Sequence, residues 1–441
     1  MVKHFKFPTF LIVFSLLLLL VNQLSFGQTT PLSYDTFKNT VAKHNHTIKL
    51  SEVNVIIAQS DAAQSNAVFL PNITLSYTGI TTTNPLMAFG SKLNQEILTQ
   101  NDFNPSILND PSRIDNFTTK IEIQQPLVNI GGFYKRKAAK ATVQAYKLQA
   151  ERTKEQLELQ AYKAFMQLQL AYKATEVLEQ SLKSAEENTS LANQRFQLGI
   201  LQKSDVLAVA LRLTEVKNRL QFSESNIQQC SDAISLLMGT QTDVTYLPID
   251  KLSRLKNKHT SPRSFPENRS DIAALKKTTE AYLHNYKADK MSYLPSLNAF
   301  GSYELHDGNF LGTTAKGYLL GAQLSWTVFN GNKRQGKIKK SKAELHKSII
   351  SYDYYKAQSN MALQQAFRNL KNTENQLILS KLAMEQSKEA LLIRLNRYKQ
   401  GLEKTTDLLF SETQYSQKQL EYYQTVFKYN YAQATFKFLS N

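Results

Sequence analysis

The chain has 441 residues, a formal net charge of +17 at pH 7, and a single cysteine, Cys230. One cysteine excludes an intrachain disulfide, so an exported form must hold together by burial, metal or assembly. The basic balance points to anionic lipid, anionic substrate or nucleic acid as partners, and nucleic acid is set aside because the first residues direct the chain out of the cytoplasm.

Those residues, 1–27, read as a secretory signal peptide. Lys3, His4 and Lys6 form a basic start, Phe10 to Val21 a dominantly apolar stretch, and Ser25 and Gly27 supply small residues before a cut. The apolar stretch is too short to span a bilayer. No later segment is long and apolar enough for a spanning helix. Strands of a β-barrel leave only a weak alternating signal.

The first repeat is expected over 28–239. After a helix-rich opening comes Leu70-Pro71-Asn72-Ile73, then strands within about 72–128. Ile73, Leu75 and Tyr77 alternate with Thr74, Ser76 and Thr78, and Phe117, Ile121 and Ile123 alternate with Thr118, Lys120, Glu122 and Gln124. Between them Asn84 to Asn116, rich in Asn, Asp, Pro and Ser, reads as an exposed loop. Asn129-Ile130-Gly131-Gly132 then opens a proline-free stretch to Gly199, which as one helix runs roughly 100 Å at 1.5 Å per residue. Its apolar and small residues, Leu157, Ala161, Ala164, Leu168, Ala171, Thr175, Leu178, Leu182 and Ala185, step by four and three. That period imposes a left-handed coiled coil. Arg195-Phe196-Gln197-Leu198-Gly199 ends the helix, with glycine in the left-handed position. Asp205 sits where the returning helix starts, and Val206, Val209, Val216, Ile227 and Ile234 mark the stripe of that helix.

A charged, proline-bearing linker occupies 240–268. The second repeat, 269–441, restates the first. Ser270 caps its opening helix, with Asp271 in the first turn. Leu294-Pro295-Ser296-Leu297 precedes strands within about 296–329, and Asn330-Gly331 precedes the long helix. Arg397-Tyr398-Lys399-Gln400-Gly401 ends that helix, and Asp407-Leu408-Leu409 matches Asp205-Val206-Leu207. Four strands cannot close a barrel, and lipid tolerates no open sheet edge, so several chains must share one barrel.

These residues resemble the TolC-type outer-membrane efflux proteins over essentially the whole mature chain. The resemblance rests on the paired Leu-Pro junctions, the Asn-Ile-Gly-Gly and Asn-Gly turns, and the two tips in which five residues separate Gly from Asp-[Val/Leu]-Leu. It implies a mixed α and β fold: a transmembrane β-barrel, four strands per chain and twelve in a homotrimer, continued by a periplasmic α-helical coiled-coil barrel. It also implies a passive exit duct of a tripartite efflux or type I secretion system, in the cell outer membrane with a large periplasmic part. The duct would receive substrate from an inner-membrane transporter through a periplasmic adaptor. The adaptor-contacting hairpin tips would be Arg195, Phe196, Gly199, Asp205, Arg397, Tyr398 and Gly401. The periplasmic entrance would narrow at Asp407. Phe410 stands where the family often has a second aspartate, and Glu403 stands where its best-known members place a basic latch residue.

Asp407 also has a plain structural role, as a helix cap or first-turn acid. Two basic clusters follow the strands, Lys135-Arg136-Lys137 and Lys333-Arg334 with Lys337. They suit outer-membrane lipid headgroups or a solvated face equally. Gly331 to Lys337 mimics a phosphate loop, but Ile338 stands where the magnesium-binding hydroxyl is required. The scattered histidines suit no shared metal, Cys230 lies on an apolar seam, and no nucleophile–base arrangement emerges. No enzyme activity, cofactor or metal is expected. A structural trimeric coiled-coil envelope protein without transport activity is the competing reading, and a periplasmic adaptor, which carries one hairpin rather than two, is a third.

Overall fold

The computed structural model describes residues 29–240, 243–255 and 266–440. The signal-peptide expectation at 1–27 lies outside the described residues, as does part of the 240–268 linker. The first half comprises β1 (Thr30–Leu32), α1 (Tyr34–His44), α2 (His46–Gln64), β2 (Asn72–Thr82), α3 (Pro85–Asn94), α4 (Pro105–Asn109), β3 (Ile114–Val128), α5 (Ile130–Gln197) and α6 (Lys203–Met238). There follow β4 (Tyr246–Pro248), α7 (Ser270–Lys290), β5 (Ser296–Asp307), β6 (Ala315–Ser325), α8 (Lys333–Lys399) and α9 (Thr405–Ser440). The fold is mixed and helix-rich, and α5 and α8 alone contain 68 and 67 residues.

The contacts divide the chain into two compact units, each drawing on both halves of the sequence. One holds residues 1–51, 150–269 and 356–441; the other holds 52–149 and 270–355.

The first unit is helical. The four-and-three stepping becomes burial: Leu157, Ala161, Leu168, Ala171 and Ala185 of α5, and Leu363, Leu370 and Leu377 of α8, are buried. Val209, Val216 and Ile234 of α6 and Leu408, Tyr429 and Ala432 of α9 join them. Alanine, serine and threonine at these positions bring backbones close, and Thr175 and Ser223 satisfy each other across α5 and α6 at 2.8 Å. The largest cluster surrounds Phe37, Phe165, Leu168, Ile234 and Tyr246, with Phe37 and Phe165 stacked. Tyr246 arrives there on β4, which pairs in parallel with β1. The segment 240–268, expected only as a charged, proline-bearing linker, thus contributes a strand to this unit. Cys230 packs against this cluster as expected, and burial pushes its thiol pKa up.

The second unit is built on one antiparallel sheet of order β2-β3-β5-β6. The β2–β3 and β5–β6 ladders run without a slip. The β3–β5 ladder breaks at Pro126, where the ring nitrogen has no hydrogen to donate. Alternation gives the sheet two unlike faces. Thr74, Ser76, Thr78, Lys120, Glu122, Glu304 and His306 share one, while Ile73, Leu75, Tyr77, Ile121, Tyr303 and Tyr318 share the other. Among the described residues no strand covers the outer edge of β2 or β6.

Two expectations are corrected. The stretch 84–116 is not a loop throughout: it contains α3, a 3-10 turn at Gln100–Phe103 and α4. Asn84 caps α3 by accepting from Met87 N–H, and Pro85 fits the first turn because its missing N–H is not needed there. Ser270 is the first residue of α7 rather than its cap, while Asp271 does lie in the first turn and accepts from the Tyr355 hydroxyl.

Candidate functional site at the hairpin tips and the strand sheet

The tips lie in the helical unit, and both close by the same backbone device. At the first tip Gly199 adopts φ 71°, its N–H donates to Phe196 O, and Ile200 N–H reaches back to Arg195 O. At the second, Gly401 adopts φ 79°, its N–H donates to Tyr398 O, and Leu402 N–H reaches Arg397 O. This double reach-back satisfies carbonyls that the ending helix leaves orphaned. Asp205 and Asp407 are each the third residue of the returning helix, not its cap. Asp205 instead completes a capping box, its carboxylate accepting from Gln202 N–H.

The second tip carries a charge cluster. Arg397 Nε donates to Glu403 at 2.9 Å, and Arg394 lies 3.5 Å from Glu403 and 3.9 Å from Asp407. Asp407 therefore faces a cation on its own chain, and Arg394 went unnoticed in the sequence because it falls one turn before the repeated motif. Phe410 is exposed on the next turn of α9.

The two tips are joined by Arg195. Its Nη1 donates to Tyr398 O at 3.0 Å and its Nη2 to Lys399 O at 2.9 Å, while the guanidinium lies over the Tyr398 ring. A cation on the last carbonyls of α8 also complements the helix dipole. Tyr398 is 1% exposed, so of the expected tip surface it faces inward. Phe196 is exposed, with Lys203 Nζ 5.5 Å from its ring. Leu198, Ile200 and Leu402 are exposed apolar side chains beside the two glycines. No sequence signal marked them except their position next to each glycine.

Deeper in the hairpins, Asn188 of α5 donates to the Glu412 carboxylate of α9. Arg212 of α6 is buried nearby and pairs with Glu215 at 3.6 Å. Burial pushes the Glu412 pKa up, offset in part by the Asn188 hydrogen bond and the charge of Arg212.

In the sheet unit, several members of the basic clusters have internal partners. Arg136 Nε donates to Asn66 at 2.6 Å, Lys137 lies over the Phe133 ring, and Arg334 donates to Thr327 O beneath the Tyr293 ring. Lys337 pairs with Asp289 at 2.8 Å. Lys135 and Lys333 are exposed. Among the described residues, no group of three or more His, Cys, Asp or Glu side chains could hold a metal. Among them too, no helix is long and apolar enough to cross a membrane.

Comparison with known proteins gives these features their context. No curated protein sequence matches the chain. Among solved structures, a membrane protein from Pseudomonas aeruginosa superposes with a TM-score of 0.79 at 14% identity, covering 92% of this chain and 93% of that one. The Campylobacter jejuni CmeC outer membrane channel gives a TM-score of 0.78 at 14% identity over 94% of this chain and 90% of its own. The outer membrane protein VceC of Vibrio cholerae gives 0.76 at 15% identity over 92% and 96%. These likenesses establish the fold. The sequence model of the outer membrane efflux protein family matches residues 39–240 and again 262–438, and the chain belongs to that family.

Proposed function

We propose that three copies of this chain close one twelve-stranded barrel in the outer membrane and continue it as a periplasmic helical tunnel, a passive exit duct. The observation that carries this reading is the sheet itself, with one polar face, one apolar face, and open edges on β2 and β6. In lipid an open edge leaves unsatisfied N–H and C=O groups, each costing several kcal/mol. β2 runs away from the helices and β6 returns toward them, so β6 of one copy meets β2 of the next antiparallel, and closure satisfies both edges. An apolar face turned to lipid and a polar face turned to the lumen is the outer-membrane pattern. The two separate family matches, 39–240 and 262–438, support residues 28–239 and 269–441 as repeats of one plan.

In this reading the chain performs no chemistry. It receives substrate from an inner-membrane transporter through a periplasmic adaptor that grips the exposed tip residues, Phe196, Leu198, Ile200 and Leu402 with Gly199 and Gly401. Arg195 and Tyr398 hold the tips together from within. Asp407 and Phe410 face the entrance, where Arg394 and Glu403 set the local charge. Lys135 and Lys333 meet lipid phosphates.

Planar-bilayer conductance of the purified mature protein, with its mass in detergent measured in parallel, tests this. Discrete conductance steps from a trimer are expected, with block by magnesium from the tip side that Asp407→Asn weakens. A trimer inserted correctly and silent under all conditions would favour the structural envelope role instead.

A further inference from the structure

Helix α3 lies against the polar face of the sheet. Gln95, which ends it, is 3% exposed, and its Nε2 donates to Asp115 O and to Asn116 Oδ1, both at 2.9 Å. Asn116 in turn donates to Thr118, whose hydroxyl meets His306 Nδ1 at 3.1 Å. This chain of hydrogen bonds fastens the helix across β3 and β5, on the side where Ser76, Thr78, Lys120 and Glu304 also stand. The strand positions involved are those farthest from α5 and α7, the end of the sheet opposite the long helices. The segment after α3 is built rather than loose: Lys92 pairs with Asp102 at 2.7 Å, Asp102 closes a capping box with Thr99, and Phe89 packs on Phe103.

The outward side of α3 carries exposed apolar side chains. Leu86 and Leu93 stand two turns apart on one side of the helix and are 80% and 55% exposed, and Ile97, just past the helix end, is also exposed. If the polar face lines a lumen, this stripe points into water unless something covers it.

We infer that the stripe is covered by the same stripe of the other two copies, so that three α3 helices form an apolar plug at the outer mouth of the duct. This rests on the trimeric barrel proposed above. Twelve strands spaced about 4.8 Å apart and tilted about 40° enclose a barrel about 24 Å across. Three helices, each about 10 Å wide, packed round one axis span about 22 Å. The barrel width of about 24 Å is measured between strand backbones, so three helices more than occupy the bore left by the inward side chains, and their apolar sides meet where the axis passes. Entry of bulky solutes from outside is barred by α3, and their passage outward requires the three helices to part.

The test uses intact cells carrying the full chain with Cys230→Ser. A thiol at Thr74→Cys lies on the polar face, on the helix side of the plug. A small external maleimide should label it, and a bulky poly(ethylene glycol) maleimide should not. Adding Leu86→Asp with Leu93→Asp, which sets like charges together at the axis, should let the bulky reagent in. In a separate variant, oxidation of Leu93→Cys should join two of three protomers as a dimer on a denaturing gel. Equal bulky labelling with and without the aspartates, or no dimer from a complex of trimer mass, overturns the plug. A complex that is not a trimer by native mass overturns the barrel on which it rests, and the two failures are told apart by that mass.

Discussion

Replacing Arg195 with alanine should loosen the second tip. The guanidinium makes two charge-assisted hydrogen bonds to the last carbonyls of α8 and covers the Tyr398 ring. Such bonds contribute about 1.5–3 kcal/mol each when enclosed, and partial exposure discounts them, leaving about 2 kcal/mol for the side chain. Local opening of the tip should then be about 30-fold more populated, since each 1.4 kcal/mol is tenfold. Hydrogen exchange reads this directly. The Gly401 and Leu402 amides are held by Tyr398 O and Arg397 O, and their protection should fall by that factor while amides near Ile234 keep theirs. Arg195→Lys retains the charge but not the two-pronged geometry and should fall between. Unchanged protection at Gly401 and Leu402 in the alanine variant would refute the idea that Arg195 ties the tips.

Two further outcomes follow from backbone and burial. Gly239→Ala should lower the unfolding midpoint more than Gly401→Ala. Both sites have φ in the left-handed region, costing an alanine about 1–2 kcal/mol, but a Cβ at Gly239 would also meet His44 O at 2.8 Å, and at Gly401 it would meet nothing within 4 Å. Equal shifts in thermal melts would count against that contact. Because burial raises the Glu412 pKa above its ordinary value of 4.5, ionising it disfavours the folded state. Its contribution is intact below 4.5 and is lost as pH rises through the folded value. Glu412→Gln should flatten that stretch of the stability–pH curve, and an identical slope in both proteins would show that another group produces it.

The long-period features were legible in the sequence because many residues repeat the same instruction. The four-and-three stepping from Leu157 to Ala185 is sustained over enough turns to outweigh local noise, and the alternation of Ile73 to Thr78 fixes which residues share a face. Gly199 and Gly401 marked both tips. Short or long-range features were not legible. In α3 the apolar residues Leu86, Phe89 and Leu93 complete too few turns to stand out from the Asn, Asp and Pro around them. β1 and β4 are three residues each and lie over 200 positions apart, so only folding brings them together. Asp205 looked like a cap because it opens a motif, whereas the backbone starts α6 two residues earlier. Arg394 was missed because it precedes the repeated motif and nothing local says that it will meet Glu403 and Asp407.

The uncovered edges of β2 and β6 bear on how the proposed barrel assembles. In the trimeric barrel proposed above, a single chain can complete its helical hairpins alone, since those contacts lie within one chain, but its sheet stays a fragment until two further copies arrive. Assembly rate should therefore rise steeply with the local concentration of protomers, and a protomer waiting for its partners exposes a template for pairing with any other strand. Production faster than assembly turns the same edges into seeds of aggregation. On that proposal, a cell must either keep its protomers scarce or shield β2 and β6 until three are together.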